Sequence, residues 1–356
     1  MKLAGITRLF SSFRGSSFRD SILTGLNSVQ RRRSRERRRF ETKVSGECLE
    51  SRILLFALGN RWTNTATDGP GLTQGDATTV TWSIVADGTA IPAFGGVSGE
   101  SSDPSNLVAF LNGIYGTVTP DTNYTDEVWF PYFQSTFDRW SELSGITYVY
   151  VPYDDGFSLE GPAGALGYRA DVRIGGHRID GNSGTLAYSF YPNNGEMVID
   201  TVETSYPSSG NAVRLRNVLA HESGHGLGLQ HVISGSSVIL MEPSLNTSID
   251  GPQFDDILGL QRHYGDYYEK SGGNDTSAKA TSLGTLGSGQ TLSIGTSAVS
   301  MSVAPTATDF VSIDDELDVD YYSFTTTTAG TVNIQLTSAG PTYNVGPYGG
   351  SESSFN

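Results

Sequence analysis

The sequence predicts an α+β protein, a mixed twisted sheet packed against long helices and followed by a small all-β, sandwich-like domain. Three observations carry that reading. Short runs in which β-formers alternate, such as residues 79–85 and 146–151, are interleaved with stretches whose apolar residues recur at helical spacing. From about residue 269 the texture changes to Thr, Ser and Gly with only short alternating runs. A chain of 356 residues suits about two domains and a sizeable core.

Residues 1–60 read as a basic, largely disordered leader, an export or pro-segment. They hold 13 Lys+Arg against 5 Asp+Glu, while the rest of the chain holds 10 against 33. The run Arg31-Arg32-Arg33-Ser34-Arg35-Glu36-Arg37-Arg38-Arg39 is the kind that meets nucleic acid or a membrane surface, or that simply stays solvated. The acidic remainder repels phosphate, so nucleic acid is not expected as a partner. Cys48-Leu49-Glu50-Ser51-Arg52-Ile53-Leu54-Leu55 resembles the Leu-Glu-Pro-Arg-x-Leu-Leu leader signature of large exported bacterial proteins, with Ser51 in place of the proline. The resemblance implies a secreted, extracellular protein. No stretch is long and apolar enough to span a bilayer. Cys48 is the only cysteine, so no intramolecular disulfide is expected.

Residues 61–268 read as one globular domain. Residues 79–85 form a first strand. Residues 106–111 and 128–140 make one long helix in two segments, interrupted by Gly and Pro, and residues 146–151 a second strand. Residues 172–176, 186–190 and 197–200 supply three more strands. A helix then starts near Asn211, whose side chain suits an N-cap.

That helix carries His221-Glu222-Ser223-Gly224-His225-Gly226-Leu227-Gly228-Leu229-Gln230-His231, which reads H-E-x-x-H-x-x-G-x-x-H. Positions i and i+4 share a helix face, so His221 and His225 can offer two imidazoles to one ion with Glu222 beside it. Gly228 can take positive φ and turn the chain so that His231 arrives as third ligand. Three protein ligands leave one tetrahedral position open, the mark of a catalytic zinc. The expected chemistry is peptide hydrolysis by attack of a zinc-bound water, with Glu222 as general base.

These segments together resemble a bacterial matrixin-type domain, a metzincin zinc endopeptidase. Besides the zinc motif, the resemblance rests on 170–175, on Leu186-Ala187-Tyr188-Ser189-Phe190, on 255–265 as the closing helix, and on Val238-Ile239-Leu240-Met241-Glu242-Pro243 as the Met-turn. It implies a zinc cleft with Met241 as its hydrophobic floor, and an edge strand at Leu186 and Ala187 that holds an extended peptide through its backbone. The pocket beside the zinc would be walled by Val218 and by Pro243 to Leu245, where the family often has tyrosine at position 245. The family's structural calcium site would map onto Asp180, Asp200 and Glu203 as side-chain ligands, with Gly181 and Thr185 offering carbonyls. The histidines of its structural zinc fall on Arg173, Tyr188 and Val198, and His177 is out of register, so one zinc is expected rather than two. Cys48 lies upstream as a propeptide thiol would, although Gly46-Glu47-Cys48-Leu49 lacks the family's Pro-Arg-Cys-Gly context.

Residues 269–356 read as a polar linker and the sandwich-like domain, with strands at 320–325 and 330–336. Asp318 to Phe324 echoes the Asp-x-Asp-x-Tyr-x-Phe signature of the bacterial pre-peptidase C-terminal domain, and no final strand is legible before Asn356, so this domain is expected to be incomplete. Two function classes follow. The first is a secreted, monomeric zinc endopeptidase acting on protein or peptide substrates. The second is an extracellular adhesion or scaffold protein whose metzincin domain only binds peptides.

Overall fold

The computed structural model describes residues 53–117, 123–207, 211–233, 238–337 and 343–345. Cys48 and the basic run lie outside the described residues. The central sheet has five strands in the order β5-β4-β6-β8-β7, formed by β4 (Thr78–Ile84), β5 (Ile146–Tyr150), β6 (Val172–His177), β7 (Ala187–Ser189) and β8 (Met197–Asp200). Four strands are parallel and β7 runs antiparallel along one edge. Among the described residues no strand pairs with the outer row of β7 backbone groups, which matters for the site.

Two helices, α1 (Leu107–Tyr115) and α2 (Phe130–Leu143), pack on the sheet. Here the structure departs from the single two-segment helix expected for residues 106–140. A 3-10 turn at Tyr124–Asp126 precedes α2, and Gly116 stands at positive φ directly after α1, ending it as its own element. Burial of α2 explains its position: Phe130, Phe133, Phe137 and Trp140 fall at helical spacing, and Trp82 of β4 stacks on Phe137 at 4.4 Å and on Phe130 at 5.7 Å.

The third helix, α3 (Val213–Gly226), begins two residues later than expected. Asn211 is not its cap. Asn211 and Ala212 both stand at positive φ, and Asn211 contributes its carbonyl, not its side chain, as an acceptor for Arg216 Nε at 3.0 Å. The fourth helix, α4 (Phe254–Tyr264), has a capping box between Gln253 and Asp256.

Around this body lie small pairings. A hairpin joins β2 (Asn64–Thr65) to β3 (Gly69–Pro70). The strand β1 (Ile53–Leu58), at the end of the segment expected to be leader, pairs antiparallel with β9 (Leu229–Gln230) and parallel with β12 (Tyr343–Val345). Phe56 of β1 is buried and packs on Gly259 of α4.

No sandwich forms among the described residues after 268. The strands β10 (Thr281–Leu286) and β11 (Tyr322–Thr326) make a lone parallel pair, and the run expected as a strand at 330–336 is irregular, with Leu336 97% exposed. Alternation alone cannot make a sandwich without a second sheet to bury its apolar side. The apolar residues of this region go elsewhere: Val303 and Phe310 pack against Phe254 and Ile257 of α4 and Leu143 of α2. Among the described residues no helix is long and apolar enough to cross a membrane.

Candidate functional site

The site is built on the C-terminal half of α3, and Leu215, Val218 and Leu219 in the half before it are buried and fix the helix against the body. The same helix presents His221 and His225 one turn apart. At Gly228 φ is +97°, and a Cβ there would lie 2.1 Å from the carbonyl oxygen of Asn60, so only glycine fits the turn. The chain then pairs with β1 through Leu229 and Gln230, with Gly59 N–H donating to Gly228 O at 2.7 Å, and delivers His231. The segment at 57–60, read from sequence as leader, is thus a support for the third histidine.

The three imidazoles converge. His231 Nε2 lies 3.0 Å from His221 Nε2 and 3.1 Å from His225 Nε2. Carbonyl oxygens hold the far side of two rings, Leu240 O at His221 Nδ1 and Leu229 O at His225 Nδ1, both at 2.8 Å. A carbonyl only accepts, so each Nδ1 carries the proton and each Nε2 turns a lone pair inward. Burial, with the neighbouring imidazoles, pushes His221 down to about 3 and His225 down to about 4; burial also lowers His231. All three are therefore neutral at pH 7. Three neutral imidazoles converging on one point, two of them with their Nε2 lone pairs turned inward, fit a cation and fit zinc in particular, whose usual ligand is neutral imidazole.

Glu222 is buried, and its Oε2 has no hydrogen-bond partner. Burial alone pushes its carboxyl up to about 8. A dication beside it would favour the charged form, so the carboxyl is placed where its affinity for a proton depends on what occupies the cleft.

The floor is Met241. A Cβ on Gly224, between the two helical histidines, would lie 2.5 Å from Met241 Sδ. The turn carrying Met241 is held by Asp256 of α4, whose carboxylate accepts from Leu240 N–H at 2.9 Å and Met241 N–H at 3.1 Å. Since Leu240 O in turn receives His221 Nδ1–H, Asp256 acts on the first histidine through one peptide unit. Asn217 performs a similar service further along, donating to Asn246 O and Ile249 O at 2.8 Å. Sequence reading assigned no role to either; the capping box at Gln253 and Asp256 was the only local signal.

A cleft of about 780 Å³ runs past the histidines, and Leu186, Ala187, Val218, Pro243 and Leu245 all line it together with Glu222. The edge strand β7 forms one side. Behind it, residues at the positions read as unfit for a second zinc form a polar network. Tyr188 OH donates to Glu100 Oε1 at 2.8 Å, and His177 Nε2 lies 3.0 Å from the same oxygen while its Nδ1 faces Asp103 O. Arg173 is buried and donates to Asp154 through Nε and Nη2 at 2.6 and 2.9 Å and to Glu196 at 3.3 Å. Val198 sits in a small apolar cluster.

The expected calcium residues are engaged with their own loop. Asp180 accepts from Thr185 N–H and Oγ1–H, Asp200 from Gly181 N–H, and Glu203 from Ser183 N–H. Among the described residues, the groups of three or more ligand atoms lying within 4.8 Å of one another are the three histidines and Glu269, Asp275 and Asp318; Asp180, Asp200 and Glu203 do not converge to that degree.

Residues 115–265 match the family model of Matrixin. A hatching enzyme of Paracentrotus lividus is 30% identical over 42% of this chain and 24% of its own length. Metalloendoproteinase 1-MMP of Arabidopsis thaliana is 35% identical over 37% of each chain, and karilysin of Tannerella forsythia is 31% identical over 42% of this chain and 31% of its own. The chain thus spans between about a quarter and two fifths of these relatives. The matched region is similar to the Matrixin domain and has relatives named metalloendoproteinases, which supports a metalloprotease.

Proposed function

We propose that the chain is a secreted, zinc-dependent endopeptidase in which Glu222 moves the proton. The observation that carries this reading is the convergence of three histidine Nε2 atoms beside a carboxyl oxygen without a hydrogen-bond partner at the wall of an open cleft. Zinc held by His221, His225 and His231 would acidify water and polarise a carbonyl. Glu222 accepts the proton of the attacking water at Oε2 and delivers it to the leaving amine, since it lines the same cleft as the three histidines and its Oε2 has no competing hydrogen bond. The free edge of β7 aligns an extended peptide by backbone hydrogen bonds, while Val218 and Leu245 wall the pocket that receives one side chain. Asp180, Asp200 and Glu203, with the carbonyls of Gly181 and Thr185, are proposed as a calcium site that would stiffen the loop before β7. Calcium should then raise the unfolding temperature without entering the histidine site.

Glu222→Gln tests the reading, because it keeps shape and removes the base. The variant should retain about one zinc per chain and lose turnover of an unfolded protein substrate by at least about a hundredfold. Undiminished cleavage by the variant, or no chelator-sensitive cleavage by the native chain, would sink it. The non-catalytic scaffold reading predicts indifference to this substitution, and no feature of the site favours it.

A further inference from the structure

One cation in the cleft has no hydrogen-bond or ion-pair partner among the described residues. Arg214 lies seven residues before His221, and positions 214, 218, 221 and 225 share one face of α3. At the helical rise this places it about 10 Å from His221 along the axis, beyond Val218. It lines the same cleft as Val218 and Leu245. Its Nε is sealed from solvent and donates to nothing, and among the described residues no hydrogen bond or ion pair reaches the guanidinium. Other arginines of the body are engaged: Arg216, two residues on, pairs with Asp250 at 2.6 Å, and Arg173 and Arg61 donate to carboxylates and carbonyls; Arg139 leaves its Nε unpartnered but donates through both terminal nitrogens. Glu203 is the acidic group nearest in effect, but its oxygens already accept from Ser183 and Ser205 N–H at 2.8 and 2.7 Å.

A partly desolvated guanidinium with open donors in a peptide groove is a receptor for a carboxylate, because its planar fork matches that geometry and Glu203, the acid it acts on through space, has its oxygens occupied by backbone N–H groups. We propose that Arg214 makes the pocket walled by Val218 and Leu245 an anion-selective subsite, so that the preferred substrates carry Asp or Glu at the position seated there. The proposal rests on the peptidase reading above and names its substrate class. The chain as a whole is acidic, with a formal charge of −15, so distant fields oppose such substrates and the preference must come from this one local contact. A carboxylate can be presented by a side chain or by the end of a short peptide, and the edge strand β7 along the same cleft, which suits an extended chain, favours the side chain.

The test uses zinc-loaded full chain and fluorogenic, C-terminally amidated peptides that differ only by Glu or Gln at each position flanking the cut. The native protein should cleave the Glu member with kcat/KM higher by about tenfold at one position, a gap expected of a charge-assisted hydrogen bond at a partly solvated site. Arg214→Gln should equalise that pair, and Arg214→Lys should keep part of the gap, both with native zinc content. Equal rates in the native protein, a gap that survives Arg214→Gln, or a preference confined to peptides with a free C-terminus would overturn the assignment. Fluorescence polarisation of the same peptides on Glu222→Gln separates the two claims. An Arg214-dependent preference in binding with no cleavage by the native chain would sink hydrolysis and keep the subsite, whereas cleavage without any such preference would do the reverse.

Discussion

Replacing Gly224 by alanine sets two calculable effects against each other in the middle of the zinc-type motif. Inside a helix alanine is favoured over glycine by about 1 kcal/mol. Against that, the new Cβ would lie 2.5 Å from Met241 Sδ, 3.2 Å from its Cε and 3.6 Å from Trp140 Cζ2. Met241 cannot retreat as a unit, since its N–H donates to Asp256 at 3.1 Å and its carbonyl accepts from Val232 N–H at 3.0 Å. Its side chain must leave its rotamer in a buried site, and overpacking of this kind costs about 1–3 kcal/mol. The expected net is a loss of about 1 kcal/mol, the difference between those two effects. Gly226, the last residue of the same helix, is the control. A Cβ there meets Ser189 Oγ at 3.4 Å, an ordinary contact, so alanine should be neutral or stabilising by about 0.5 kcal/mol. For a domain of this size each kcal/mol moves Tm by about 2–4 °C. In chelator, Gly224→Ala should melt below the native chain and Gly226→Ala at or above it. Zinc competition titrations should show weaker binding only for Gly224→Ala, since the displaced methionine lies under both histidines. Equal melting of the two variants, or a Gly224→Ala that melts above the native chain, would refute the packing argument.

Two further substitutions test the surroundings of the site. Asp255 is fully buried with neither carboxyl oxygen partnered, and burial, with Asp256 adding to it, raises its pKa to about 9. A carboxyl raised in the folded state contributes stability below its unfolded pKa and loses it as pH rises towards the folded value, so at pH 7 it costs on the order of 4 kcal/mol. Asp255→Asn should therefore be more stable than the native chain at pH 7, with the gap closing towards pH 4 in urea titrations; a gap that does not change with pH refutes the linkage. Glu100 holds Tyr188 OH and His177 Nε2 on one oxygen and Phe94 N–H on the other, behind the edge strand. Glu100→Ala orphans these donors and should cost about 3–5 kcal/mol. Because Tyr188 belongs to β7, KM for extended peptides should rise more than kcat falls, and a loss under about 1 kcal/mol with unchanged KM would show that the network does not position the strand.

How far the sequence could be read depended on the distance over which each role is set. The facing pair His221 and His225 and the turn at Gly228 are local patterns, fixed by one helical turn, and spacing alone exposes them, whereas the edge position of the strand at Ala187 was implied by the family resemblance. The strands of the central sheet are legible for the same reason, with β8 matching its expected bounds. The supports were not, because their partners are far along the chain: Asn60 under Gly228, Asp256 under Leu240, Glu100 on Tyr188 across 88 residues. The tail failed in the opposite way, since its alternation is a real local signal that the fold does not use, and its apolar residues cover α4 in place of a second sheet.

Asp255 and Asp256 show where the limit lies. Side by side in the first turn of one helix, they are indistinguishable by composition, charge or period, and both are buried. Three backbone N–H groups, from Leu240, Met241 and Gln253, reach Asp256, so burial raises it only to about 6 and it fixes the turn that orients His221. None reaches Asp255, so the same burial raises it to about 9. Adjacent helical residues point about 100° apart, and that rotation alone decides which carboxylate serves the metal-type site and which one weighs on the fold.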